Sequence, residues 1–264
     1  MDNKSLKIFS WNVNSINARL ENIIKLIEVY NPDVLLLQEI KAEEHKVPQT
    51  ILEDLGYNIK ISGQKSYNGV AILSKYRVEE VIIKEFEGAP NEARYIEGLI
   101  NVNSKCVRIA SVYVPNGQAV ISEKFSSKLS FLYDLNQYLR AIKNDEMFFI
   151  GGDFNVAQDA IDLFDPVKSK NHLGFHDRER ELIDKIIDGG FKDTLRQLHP
   201  TQQIFSWWDY RDRNSFKSNR GWRIDYILSS PSCERVIVAA GVAIETREWV
   251  RPSDHAPVFC EVAL

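Results

Sequence analysis

The sequence predicts a layered α/β or α+β fold, and three observations carry that prediction. Short, nearly continuous apolar runs recur along the 264 residues, among them Val34-Leu35-Leu36-Leu37 and Met147-Phe148-Phe149-Ile150. Runs of this length suit strands buried on both faces. Segments with apolar residues at helical spacing lie between them. No internal repeat, low-complexity stretch or long Gly/Ser/Pro linker interrupts the alternation, so residues 1–264 read as one domain.

Taken in order, residues 6–11 read as a strand. A helix follows from Asn17, with Leu20, Ile23, Ile24 and Ile27 on one face, and Asn31-Pro32 stops it. Val34–Leu37 is a buried strand. Val70–Leu73 and Val78–Ile83 are strand-like, and Tyr95–Val102 and Val107–Val114 read as neighbours joined through Asn103-Ser104. A long helix near 122–143 carries the stripe Phe125, Leu129, Leu132, Leu135, Leu139 and Ile142. Met147–Ile150 is a strand broken by Gly151-Gly152. Residues 178–188 form a helix with Leu182, Ile183, Ile186 and Ile187 inward, ended by Gly189-Gly190. Arg223–Leu228, Val236–Ile244 and Pro257–Leu264 close the chain as strands. Many strands with several helices pack as layers.

Composition narrows the class. Hydrophobic residues at 44% and charged residues at 27% match a soluble globular chain. No apolar run approaches the ~20 residues of a membrane-spanning helix, no secretory leader is visible, and the expected location is cytoplasmic, with no membrane partner. The net charge of −4 argues against a uniformly basic nucleic-acid wrap but leaves room for a local basic rim. The three cysteines Cys106, Cys233 and Cys260 are expected to be buried small hydrophobes in a reducing compartment.

Chemistry-bearing residues gather at strand ends, where side chains are held rigidly. Asn12 and Asn14 follow the first strand, Glu39 follows Val34–Leu37, Asp153 and Asn155 follow Phe148–Ile150, Asp225 sits in Arg223–Leu228, and Asp254-His255 precedes the last strand. Carboxylate and amide oxygens suit Mg²⁺, which keeps waters for substrate phosphates. One His beside an Asp offers a cation or an acid/base group. Singly, Glu39 reads as a solvated strand-end acid, Asp153 as a turn former after Gly-Gly, and Ser253-Asp254 as a turn. Asp225, between Ile224 and Tyr226-Ile227-Leu228, needs a partner if buried. The set, rather than any member, points to a metal-assisted site. Gly-x-Ser-x-Gly, Cys-x-x-Cys and Walker-type patterns are absent, and His172 with His176 flank Gly174 in a polar loop that reads poorly as a metal site.

Seven motifs in order make the chain resemble the exonuclease III branch of the endonuclease/exonuclease/phosphatase superfamily. They are Ser10-Trp11-Asn12-Val13-Asn14, Pro32-Asp33-Val34 with Leu37-Gln38-Glu39, Asn68-Gly69-Val70-Ala71-Ile72-Leu73-Ser74, Val112-Tyr113-Val114-Pro115-Asn116-Gly117, Gly151-Gly152-Asp153-Phe154-Asn155-Val156-Ala157, Gly221-Trp222-Arg223-Ile224-Asp225-Tyr226 and Ser253-Asp254-His255-Ala256-Pro257. The resemblance implies a four-layer sandwich, two packed mixed β-sheets flanked by helices. It implies Glu39 as main Mg²⁺ ligand, with Mn²⁺ the alternative ion, and Asn12 and Asp254 as further metal-site residues. Asp153 would position or deprotonate the attacking water or bind metal. Asn155 would steady the phosphate, His255 would contact it with Asp225 on its other nitrogen, and Tyr113 would lie near the scissile phosphate. The full metal set is then Asn12, Glu39, Asp153, Asn155, Asp254 and His255.

The substrate is read from Phe205-Ser206-Trp207-Trp208-Asp209-Tyr210 through Trp222. From Asp209 to Arg223 there are five bases against two acids, in a chain of net negative charge. Aromatic faces among Arg and Lys suit a nucleic-acid edge, and Arg220 and Arg223 are the expected DNA contacts. Two adjacent tryptophans in a strand face opposite sides, so Trp207 and Trp208 should differ in environment. The resemblance places Trp207, Trp222 and Ile224 around a flipped abasic sugar. Duplex DNA with abasic sites or 3′ ends is the expected partner of a monomer that cuts 5′ to the lesion, leaves a 3′-hydroxyl and trims 3′ ends. A superfamily phosphoesterase acting on inositol phosphate or phospholipid is the alternative, and a non-catalytic DNA binder the third reading. Lys168, Lys170, Arg178 and Arg180 read equally as DNA contacts or as a solvated helix entry.

Overall fold

A computed structural model describes residues 5–142 and 145–264. The elements in chain order are β1 (Ser5–Asn12), α1 (Leu20–Tyr30), β2 (Val34–Gln38), α2 (Gln49–Asp54), β3 (Asn58–Ser62), β4 (Val70–Ser74), β5 (Glu79–Ile83), β6 (Tyr95–Val102) and β7 (Lys105–Tyr113). They continue with α3 (Glu123–Arg140), β8 (Met147–Asp153), α4 (Pro166–Ser169), α5 (Asp177–Asp188), β9 (Lys192–Asp193), α6 (Thr194–Leu198), β10 (Asp225–Ser229), β11 (Ile237–Val242) and β12 (Val258–Ala263).

Among the described residues the strands form two six-stranded sheets, in the orders β11-β12-β1-β2-β4-β3 and β5-β6-β7-β8-β10-β9. Only β1 with β2 and β7 with β8 run parallel in these ladders, so both sheets are mixed. The two-residue period of a strand sorts side chains into three cores. Leu6, Ile8, Val34, Leu36, Val70 and Ile72 meet Val107, Ile109, Phe149 and Ile227 between the sheets. Phe9, Trp11, Leu35, Leu37, Ala71 and Leu73 face outward onto Ile23, Leu26 and Ile27 of α1 and Leu52 of α2. Ala110, Val112, Phe148, Ile150 and Tyr226 face outward onto α3 and α5. Helix, sheet, sheet and helix therefore make the four layers expected. β2 has no solvated face, which is why its sequence lacks alternation.

Chain chemistry sets the helix ends. Asn31 takes φ 49°, and its N–H closes α1 on the Ile27 carbonyl at 2.9 Å before Pro32. The Ser122 hydroxyl accepts the Phe125 N–H at 3.2 Å and starts α3. That helix ends at Arg140, and the expected limit of 143 lies outside the described residues.

Several expectations need correction. β10 begins at Asp225, because Arg223 is drawn out of line by buried acids described below. β11 stops at Val242, and Ile244–Glu248 turn into a 3₁₀ helix. α2, β3 and α6 lie in segments with no assigned periodicity. Cys106 is exposed on β7 near its hairpin turn, whereas Cys233 and Cys260 are buried. Among the described residues no helix is long and apolar enough to cross a membrane.

Register then places the site. Asn12 sits beside Gln38, Tyr113 beside Asp153, and Asp153 beside Asp225, so one end of both sheets gathers the polar strand ends. The sheets approach closely there. A Cβ on Gly151 would lie 2.8 Å from Leu36 Cδ1 and from Ser10 Cβ, so a side chain would force the layers apart. Gln38 ties them by donating to Ser10 at 3.1 Å and Ser111 at 3.0 Å.

Candidate active site

The floor of the site is built from buried polar side chains that lock one another. Asn12, at the end of β1, donates through Nδ2 to Glu39 Oε1 at 2.8 Å and to Asp153 Oδ2 at 2.9 Å. Its Oδ1 accepts the Asn14 N–H at 3.0 Å. Asn12 thus turns N–H, not oxygen, toward the carboxylates, and spaces them. Glu39 follows β2 with φ 49°, and Lys41 Nζ lies 2.9 Å from its Oε2. Burial raises the Glu39 pKa, but the Asn12 amide and Lys41 outweigh it and hold the carboxyl below its ordinary value.

Asp153 ends β8 and accepts the Asn155 N–H at 2.9 Å. Burial is the main force on it. With the charges of Asp225 and Glu39 it outweighs His255 and Asn12 and lifts the Asp153 pKa to about 7. Asp225 accepts from Ser206 at 2.6 Å and holds His255 Nδ1 at 2.9 and 3.1 Å. His255 Nε2 stands 3.7 Å from Asp153 Oδ2. Burial alone would lower the imidazole pKa; Asp225 and Asp153 overcome it and raise it to about 10, so His255 is a cation at neutral pH. Ligand atoms of Asp153, Asp225 and His255 lie within 4.8 Å of one another.

Asp254 accepts from Asn14 at 3.1 Å and from the Trp207 indole at 3.1 Å. Burial raises its carboxyl, yet His255, Trp207 and Asn14 leave it below the ordinary value. Tyr113 ends β7 beneath the Arg94 guanidinium, 4.7 Å from the ring centre. Burial and the charges of Glu39 and Asp153 push its pKa far up, so the phenol stays a donor. Asn155 takes φ 54°, donates to the Val114 carbonyl at 2.9 Å and accepts from Asn116 at 3.1 Å.

Glu39, Tyr113, Asp153, Asn155, Asp254 and His255 line one cleft of about 900 Å³, and Trp207, Trp222 and Ile224 give it an apolar wall. Trp207 and Trp222 are edge-to-face at 6.2 Å and pack with Ile224, Leu163 and Phe175. Short bridges from Trp207 to Trp222 and to His255 fix that wall against the polar floor. Gly174 is required beneath it: its φ is +83°, and a Cβ would lie 2.9 Å from Trp222 Cζ3. Trp208 points the other way and is fully buried, as expected of adjacent strand-like residues.

The structure brings together Asn12, Glu39, Tyr113, Asp153, Asn155, Asp225, Asp254 and His255, with Trp207, Trp222 and Ile224 beside them. Asn12 and Asp225 lie under the floor, both buried. Arg220 is exposed at the rim and pairs with Asp212. Arg223 is the correction. It is 1% exposed and bonds Asp162 at 2.7 Å and Asp193 at 2.6 Å, so it cannot reach a phosphate. Residues 213–220 are locally basic, but acids 30 and 61 residues from Arg223 claimed it. Arg180 is likewise committed, to the Gln158 carbonyl at 2.7 Å and the face of Phe175. His176 caps α5 by accepting the Arg178 N–H at 3.2 Å. Sequence reasoning missed Lys41, Ser206 and Lys128. Lys41 had a signal in standing two residues from Glu39, and Lys128 in standing on the apolar stripe between Phe125 and Leu132.

Comparison with known proteins agrees with this geometry. Residues 9–255 match the model of the Endonuclease/Exonuclease/phosphatase family. The chain is 34% identical to exodeoxyribonuclease III of Haemophilus influenzae over 267 aligned positions, covering 97% of this chain and 99% of that one. It superposes on an AP endonuclease from Archaeoglobus fulgidus with TM-score 0.93 and 36% identity, over 98% of this chain and 100% of that one. It superposes on the Neisseria 3′ phosphatase NExo, bound to a product DNA hairpin, with TM-score 0.92 and 36% identity over the same shares. The chain belongs to the endonuclease/exonuclease/phosphatase family.

Proposed function

We propose that the protein is a divalent-metal-dependent DNA phosphodiesterase that hydrolyses the backbone 5′ to abasic sites, leaves a 3′-hydroxyl, and also trims 3′ ends. The observation that carries this reading is one cleft holding both a carboxylate–imidazolium floor and an apolar Trp207–Trp222–Ile224 wall. The floor suits phosphoester hydrolysis; the wall suits a sugar that has lost its base. The exodeoxyribonuclease and AP endonuclease relatives support the same substrate class.

The donor set fits a hard cation, because Glu39 and Asp254 are held ionised and offer oxygen to the cleft. Mg²⁺ bound there would neutralise charge gathering on the phosphoryl oxygens. Asn12 keeps Glu39 and Asp153 at fixed spacing despite their repulsion. Asp153, raised toward neutrality, takes the proton of the attacking water. His255, kept cationic by Asp225, offers Nε2–H to a phosphate oxygen, and Tyr113 offers its phenol. Asn155 and Asn116 each retain one side-chain N–H beyond the bonds named above. The P–O3′ bond breaks, the departing 3′-oxygen takes a proton from solvent water in the open cleft to become the 3′-hydroxyl, and the attacking oxygen stays on the 5′-phosphate. All these groups lie in one chain, so a monomer suffices.

The test is a labelled duplex with one central abasic analogue, beside an undamaged control, in Mg²⁺ and in chelator. Metal-dependent cutting 5′ to the lesion with a 3′-hydroxyl product is expected. A 3′-phosphate product, or cutting of neither duplex, would refute the reading.

A further inference from the structure

Beneath the cleft lies an ion pair that no step above uses. Lys128 of α3 and Glu179 of α5 are both 0% exposed and meet through Nζ and Oε1. The Lys128 ammonium donates to the Asn155 carbonyl at 2.7 Å and to the Asn116 carbonyl at 3.2 Å, and its charge meets Glu179 Oε1. The other Glu179 oxygen accepts the Gly174 N–H at 2.9 Å and the His176 N–H at 3.1 Å. One buried pair therefore gathers three loops that are far apart in sequence. Asn116 and Asn155 carry amides that line the cleft. Gly174 carries no side chain and supports Trp222.

The two ends of the pair thus serve different walls. Lys128 holds the carbonyls of the two asparagines on the phosphate side. The Asn155 carbonyl accepts from the buried Lys128 ammonium, and without that donor the oxygen would be unpaired. Glu179 holds the backbone beneath the apolar wall. A buried ion pair is weak as a stabiliser, since desolvation offsets its attraction, so its position calls for another account.

We infer that Lys128 and Glu179 are positioning residues for the reaction: Lys128 fixes the Asn116–Asn155 amide pair at the scissile phosphate, and Glu179 fixes the seat of Trp222. The inference rests on reading this cleft as the DNA-cutting site. It explains why a lysine stands on the apolar face of α3, between Phe125 and Leu132, where a leucine would pack.

The experiment compares Lys128→Met, Glu179→Gln and the neutral double variant Lys128→Met/Glu179→Gln with wild type, by thermal melting and by steady-state kinetics. The substrates are an abasic duplex and an undamaged recessed 3′ end. Each single change strands a buried partner and lowers Tm. The double variant removes both charges, keeps an acceptor for Gly174 and His176, and recovers the part of the Tm lost to an unpaired buried charge, while the Asn155 and Asn116 carbonyls stay without their donor. Its kcat on the abasic duplex nonetheless stays on the order of 10²-fold low, the cost of a small misplacement at a reacting centre. Glu179→Gln is expected to raise KM for the abasic duplex more than for the 3′ end. A double variant with recovered Tm and wild-type kcat would overturn the inference. So would rates that recover on cooling in step with the folded fraction, a readout that also serves if the double variant melts early. Wild-type protein that cuts no DNA would instead sink the underlying reading, so the two failures are separable.

Discussion

Replacing Arg223 by methionine keeps an unbranched apolar stem and removes the guanidinium that sits between two buried carboxylates. The guanidinium reaches Asp162 at 2.7 and 3.1 Å and Asp193 at 2.6 Å, and lies 4.4 Å over the Tyr226 ring. Asp162 keeps a second cation, Arg196, after the change. Among the described residues Asp193 keeps the Leu195 and Arg196 N–H groups at the start of α6. Breaking a buried pair costs about 3–5 kcal/mol, and the surviving Arg196 places this case near the lower end. Urea unfolding should therefore show a loss of about 3 kcal/mol with m unchanged. Acid dependence has a definite sign. Burial raises the Asp162 carboxyl, but Arg223 and Arg196 outweigh it and leave its folded pKa depressed. Its contribution is thus present above the unfolded value of about 4 and fades as pH falls through the folded one, and the variant should show less of that fading. DNA binding supplies the contrast. Arg220→Ala, at the exposed rim, should reduce the salt slope by about 1, whereas Arg223→Met should not. A stable Arg223→Met protein with a reduced salt slope would show that Arg223 reaches phosphate after all.

Three further outcomes are expected. Asp225→Asn removes the main charge that raises His255, so the imidazolium is lost at lower pH and the rate falls on the order of 10²–10³. The alkaline limb of kcat/KM should move to lower pH, and an unmoved limb would contradict this. Gly174→Ala combines φ +83° with a Cβ 2.9 Å from Trp222; abasic incision should drop well beyond 3′-end trimming, and equal losses would count against a sugar-binding wall. In chelator, His255 is raised from 6.5 to about 10, so its stabilisation is full below pH 6.5 and is lost as pH rises toward 10. Melting temperatures across that window should fall for wild type and flatten for His255→Gln.

Local pattern reached as far as local physics decides structure. Val34–Leu37 and Phe148–Ile150 were readable as strands because burial on both faces leaves an unbroken apolar run. The polar strand ends were readable as one site only as a set. Asn58–Ser62 was not, since β3 is an edge strand with Asn58 exposed and Lys60 half-buried. Arg223 was misread because a charge and its neighbours look alike whether the partner is solvent, phosphate or an aspartate 61 residues away. Asn12 was readable as a metal-site residue, but not the way its amide faces, which the Asn14 N–H on its Oδ1 and the two carboxylates on its Nδ2 decide.

The place of β12 has a consequence for synthesis. Residues 258–263 do not sit at an edge but insert between β11 and β1, and the same stretch of chain brings Asp254 and His255. Trp11 donates to the His255 carbonyl at 3.0 Å across 244 positions, and Ser253 donates to the Asn12 carbonyl at 2.6 Å. Pairings of such separation close late, after most of the chain has condensed. A ribosome that has delivered Asn12, Glu39 and Asp153 has therefore delivered no hydrolytic centre. Asp254 and His255 come with the segment leading into β12, so a nascent chain stalled before residue 253 should cut nothing rather than cut poorly.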